Sequence, residues 1–81
     1  MTGPLLLLTL TQVNGQVWRV LSGQGEHVGN LKLIGGAWKF KAVGYDAAGV
    51  VMPGHGPLTH QHNRVFAALD EALICRALSQ N

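Results

Sequence analysis

Eighty-one residues, 47% apolar and only 12% charged, make one small domain and exclude a nucleotide-binding unit with a substrate domain, or a barrel enzyme. A single cysteine, Cys75, excludes an intramolecular disulfide, and a chain of this length buries roughly 60–65% of its unfolded surface, a thin stability margin. The net charge of +2 does not by itself define a nucleic-acid binder, but the excess lies wholly in residues 1–56, where Arg19, Lys32, Lys39 and Lys41 stand against Glu26 and Asp46.

In chain order, the first element is the apolar run over residues 5–8, continued by Thr9 and Leu10. No positive side chain precedes it, no small-x-small cleavage site follows it, and it is far shorter than the ~20 residues of a membrane span. It reads as a buried strand over about 5–13 rather than a leader, and the lone thiol makes the cytoplasm the expected compartment. Asn14-Gly15 is a strong hairpin signal, expected as a type I′ turn into a second strand at 16–21. Gly23-Gln24-Gly25 leads to a third strand at 27–34, and Gly35-Gly36 turns into a fourth at 37–45. Asp46-Ala47-Ala48-Gly49 has the Asp-first, Gly-last form of a type I turn, before a short fifth strand at 50–52 that Pro53 stops.

Beyond residue 63 the period changes. Ala and Leu dominate and neither Gly nor Pro occurs from Arg64 to the end, which predicts a helix over about 63–78, capped by Thr59 or by Asn63. Val65, Phe66, Leu69, Ala72, Leu73 and Ala77 fall on one stripe, and on that phase Ile74 and Leu78 point away and become candidates for an interface. The expected fold is α+β: an antiparallel meander of four to five strands with one C-terminal helix packed on one face. Its expected core is Leu6, Leu8, Trp18, Val20, Leu31, Leu33, Trp38, Phe40, Phe66, Leu69 and Leu73.

Period-two alternation puts Trp38, Phe40 and Ala42 on one side of the fourth strand and Lys39 and Lys41 on the other. Trp18 and Val20 alternate with Arg19, and Leu31 and Leu33 with Lys32. Arg19, Lys32, Lys39 and Lys41 are therefore expected on one open face, where they either meet phosphates or simply solvate the sheet.

His55, His60 and His62 lie within eight residues and are the weak metal candidates. His60 and His62 can chelate together in an extended segment but not on a helix, where residues two apart diverge by about 200°. If Thr59 caps the helix the pair is in its first turn and the site fails; if Asn63 caps it, the site survives. Cys75 falls mid-helix without a base beside it, and Gly54-His55-Gly56-Pro57 lacks both the third glycine of a dinucleotide fingerprint and the Lys-Ser/Thr of a phosphate loop. No carboxylate pair or activated nucleophile is legible, so neither enzyme activity nor a cofactor is expected.

The stretch Asp46-x-x-Gly49-x-x-x-Pro53-Gly54-x-Gly56, set between a meander and a C-terminal helix, resembles the loop of the positive-cofactor-four transcriptional coactivator family. Where that family has a basic residue after Pro-Gly, this chain has His55, and the spacing to the next glycine is one residue shorter. The resemblance implies a homodimer that binds single-stranded DNA, with Asp46, Gly49, Pro53, Gly54 and Gly56 as structural residues and Lys39 and Lys41 as contacts.

The leading functional expectation is a small non-enzymatic protein-interaction or accessory module, a homodimer by reason of its low charge and open sheet edges, with Ile74 and Leu78 at the interface. The alternative is single-stranded nucleic-acid binding through Arg19, Lys32, Lys39 and Lys41, and the lesser alternative is metal binding by His55, His60 and His62. No membrane association is expected.

Overall fold

A computed structural model describes residues 7–80. The strands are β1 (Thr9–Asn14), β2 (Val17–Leu21), β3 (His27–Ile34), β4 (Ala37–Tyr45), β5 (Val51–Pro53) and β6 (Val65–Phe66). A 3-10 turn at Thr59–Gln61 separates β5 from β6, and the helix α1 (Glu71–Leu78) ends the described chain. The sheet is antiparallel in the order β1-β2-β3-β4-β5, with β6 also paired to β4. This is the α+β meander with a C-terminal helix that the patterning predicts. The expected contributions of Leu5 and Leu6 to the first strand and core lie outside the described residues.

Turn chemistry explains the register. Gly35 and Gly36 both hold positive φ (58° and 81°), the two-residue type I′ geometry that matches strand twist. The Asn14-Gly15 hairpin forms where expected but by another route. Its corner is Gly15-Gln16, neither at positive φ, and the Asn14 side chain accepts a hydrogen bond from the Gln16 N–H at 2.8 Å. Asp46 closes its turn twice over: its carbonyl accepts from Gly49 N–H (2.9 Å) and its carboxylate from Ala48 and Val50 N–H.

The outer edge of β4 is covered in segments. Trp38 and Lys39 pair with β6, and Val43, Gly44 and Tyr45 pair with β5. Between them, Phe40 donates to the Arg64 carbonyl (2.7 Å) and accepts from Asn63 N–H (2.8 Å), while Ala42 accepts from Gly54 N–H (2.8 Å). The remaining donor, Ala42 N–H, is taken by the imidazole Nδ1 of His62 at 3.0 Å, so a side chain stands in for a missing strand carbonyl.

That coverage overturns the expected helix at 63–78. Neither Thr59 nor Asn63 caps it: Asn63 sits at φ 72° against β4, and residues 65–66 are strand. Edge backbone gains ladder hydrogen bonds that local helix propensity, a few tenths of a kcal/mol per residue, does not outweigh. The cap is Asp70, whose carboxylate accepts from Leu73 N–H, and Glu71 follows in the first turn.

Resetting the helix start resets its inward face. Ile74 and Leu78, one turn apart, are fully buried, so neither is the outward interface residue expected, and Leu73, expected in the core, is 54% exposed. They join Leu8, Val20, Val28, Leu31, Phe40, Ala42, Leu58 and Phe66 in one core. Trp18, Trp38 and Leu69 pack on its margin half-covered. Leu33 is 37% exposed rather than buried, because an eight-residue helix, about 12 Å long, spans only part of the sheet face. The core depends on one bare position: a Cβ at Gly29 would lie 2.3 Å from the Phe40 ring.

Candidate nucleic-acid interface

The antiparallel register decides which side chains share a face, and it aligns the four cations of the sheet in two cross-strand rows. Thr11, Arg19, Asn30 and Lys41 are successive Cα partners across β1 to β4, and Val17, Lys32, Lys39 and Val65 form the neighbouring row one pleat away. The rows are separated by two residues of strand, about 7 Å. Arg19, Lys32, Lys39 and Lys41 thus stand on the face opposite the helix, as alternation predicts. None of the four acidic residues lies in a strand.

Lys32 and Lys39 are directly opposite one another, an arrangement in which like charges destabilise the pair. Among the described residues no hydrogen bond or ion pair engages the side chains of Arg19, Lys32 or Lys39. Lys41 donates to the Asn63 Oδ1 at 2.6 Å, a neutral partner that fixes the ammonium without neutralising it. Exposed apolar groups flank the cations on the same face: Ile34 beside the second row, Val65 at its end, and Tyr45 (50% exposed) at the end of β4. Trp18 and Trp38 lie on the other face, against the core.

A hydrogen-bonded chain that the sequence did not announce runs onto the first row. The His27 ring lies 2.8 Å by Nδ1 from the Tyr45 hydroxyl and 2.8 Å by Nε2 from the Asn30 Oδ1. His27-x-x-Asn30 is the local part of the signal, but Tyr45 reaches it only through the β3–β4 pairing.

The three histidines that were the weak metal candidates diverge. His62 is committed to Ala42 N–H, His60 Nε2 lies 3.2 Å from the Gln80 carbonyl at the end of α1, and His55 is exposed. Among the described residues no group of three or more His, Cys, Asp or Glu side chains is arranged to hold a metal ion. The segment instead closes the helix terminus. Gln61, buried, donates from Nε2 to the carbonyls of Ala77 and Gln80 and accepts from the Arg64 guanidinium, which also reaches Ala77 O and lies 5.6 Å from the Phe66 ring centroid. The Cys75 thiol is pushed above its ordinary pKa by burial and, secondarily, by the Glu71 charge, both of which favour the protonated form.

Fold and face together define a small α+β meander with one helix-covered side and one side bearing the four sheet cations, Arg19 and Lys32 exposed and Lys39 and Lys41 half-buried. No helix in the described residues is long and apolar enough to cross a membrane. Compared with models of known protein families, with curated proteins and with solved structures, the chain matches none.

Proposed function

We propose that this protein is a non-enzymatic module that binds single-stranded nucleic acid on its open sheet face. The observation that carries the reading is the uncompensated Lys32–Lys39 pair, flanked in the next row by Arg19 and Lys41, with no acidic side chain in any strand. Such a face is stabilised when phosphates enter between the cations, and the shallow, open surface suits an extended strand better than a groove-reading element would. Tyr45, Ile34 and Val65 offer the apolar contacts on which bases rest. The resemblance of the Asp46–Gly56 loop to the positive-cofactor-four family supports the same ligand class.

The test is a heteronuclear NMR titration with a mixed-sequence single-stranded oligodeoxynucleotide. Shifts concentrated on Arg19, Lys32, Lys39 and Lys41, with a log–log salt slope of about −3 for four phosphate contacts, are expected. An unchanged spectrum at millimolar oligonucleotide refutes the reading.

A second reading, a self-associating interaction module, is supported by a separate observation: Leu33, Trp18 and Trp38 form a half-covered apolar strip beyond the reach of α1. It replaces Ile74 and Leu78 as the surface through which a homodimer would form. Sedimentation at high micromolar concentration decides it, and a clean 8.6 kDa monomer removes it.

A further inference from the structure

The cation rows account for charge but not for where a strand would be held. Asn30 is the one uncharged member between two cations, with Arg19 and Lys41 as its Cα partners on either side, each about 5 Å away across the sheet. Its amide is not free to rotate. Oδ1 can only accept, so the His27 Nε2 at 2.8 Å carries the hydrogen; in the neutral ring Nδ1 then accepts from the Tyr45 hydroxyl, also at 2.8 Å. The polarity of the chain therefore runs from Tyr45 through His27 to Asn30. With Oδ1 occupied by His27, no described residue accepts a hydrogen bond from Nδ2. Asn30 is half-buried, and no fully buried polar side-chain atom in the described residues lacks a partner, so this amide donates towards accessible space.

We infer that Asn30 Nδ2 is the centre of a phosphate seat, a neutral, pre-oriented donor between Arg19 and Lys41, with His27 and Tyr45 as the positioning residues that hold it. The inference rests on the open-face reading above and adds to it a defined contact. One non-bridging phosphate oxygen accepts from the amide, while the flanking cations neutralise the charge. The Lys41 ammonium is held by the Asn63 oxygen at 2.6 Å on the outer edge of β4, so Lys41 contributes its charge from that side and Arg19 is the nearer cation. Lys32 and Lys39, about 7 Å along the strands, then meet the adjoining phosphate.

A neutral donor and a cation leave different marks on salt dependence, and this separates the seat from general electrostatics. Binding of a mixed-sequence single-stranded oligodeoxynucleotide is measured across a salt series for Lys32→Gln, Asn30→Ala and Tyr45→Phe. Lys32→Gln is expected to flatten the log–log slope by about 0.7. Asn30→Ala weakens binding roughly ten-fold and Tyr45→Phe roughly three-fold, both with the slope unchanged, because no counterion is released at an amide. Tyr45→Phe keeps the ring and removes only the hydroxyl, so it distinguishes positioning from stacking even if Asn30→Ala folds poorly. In the unmodified protein the Asn30 side-chain amide signals move on titration. Oligonucleotide binding that responds to Lys32→Gln but not to Asn30→Ala or Tyr45→Phe overturns the seat and keeps the open-face reading. No oligonucleotide binding, with no response of the Asn30 amide to inorganic phosphate, overturns both. A response to inorganic phosphate alone keeps the seat, assigns it to a small phosphate ligand, and overturns only the strand.

Discussion

Lys32 stands opposite Lys39 without a counter-charge, so its replacement by glutamine has opposite consequences for stability and for binding. Glutamine removes the charge, keeps the first two methylenes of the stem and stays polar. Lys32 is exposed, so little packing is lost with it. A directly opposed like-charge pair costs on the order of 0.5 kcal/mol at low ionic strength. For a domain of this size that corresponds to a rise in Tm of about 2–4 °C. The gain fades towards zero as salt screens the pair in the parent protein. Meanwhile oligonucleotide affinity falls and its salt slope flattens by about 0.7, one phosphate contact. Calorimetric or CD melts at about 10 mM and about 500 mM salt, paired with the binding series, test both halves. A lower Tm at low salt, or a gain that persists undiminished at high salt, would refute the claim that the pair is held together against its charge.

Gly56 holds φ 99° with its Cα against β4, and a Cβ there would lie 2.2 Å from the Val43 carbonyl oxygen. Gly56→Ala is expected to destabilise by about 3 kcal/mol or more, read by urea melts; near-parental stability would mean that the loop does not press on β4. Gln61→Leu leaves the Arg64 guanidinium and the carbonyls at the end of α1 without their shared partner, and a loss of about 1–3 kcal/mol is expected. Loss of helix protection in hydrogen exchange should accompany it, and unchanged protection of the last turn would contradict the capping role. Because burial raises the Cys75 pKa in the folded state, its contribution to stability is complete below the unfolded-state value and is lost as pH rises through the folded value. Stability should therefore decline on the alkaline side less steeply in Cys75→Ala than in the parent, and alkylation of the native thiol at pH 8 should be slower than that of free cysteine.

Much of this fold is local and was legible from residue order. Gly35-Gly36 and Asp46-x-x-Gly49 are turns by backbone chemistry alone, and strands over 27–34 and 37–45 follow from period-two alternation bounded by those turns. The same alternation placed Arg19, Lys32, Lys39 and Lys41 on one face, because a side-chain period of two leaves no other choice once the strands pair. Beyond residue 53 the outcome depended on tertiary structure. Residues 63–66 have helix-permissive composition, yet Phe40 and Trp38 offer them unpaired edge groups, and a ladder bond made there outweighs local propensity. That capture moved the helix start to Asp70 and rotated Ile74 and Leu78 into the core, reversing the face read from the sequence. It also drew His62 to a backbone donor and His60 to the helix end, away from one another. The link from Tyr45 through His27 to Asn30 was invisible for the same reason. Hydrogen bonds between residues eighteen apart exist only after two strands have chosen their register, and no local pattern encodes the partner.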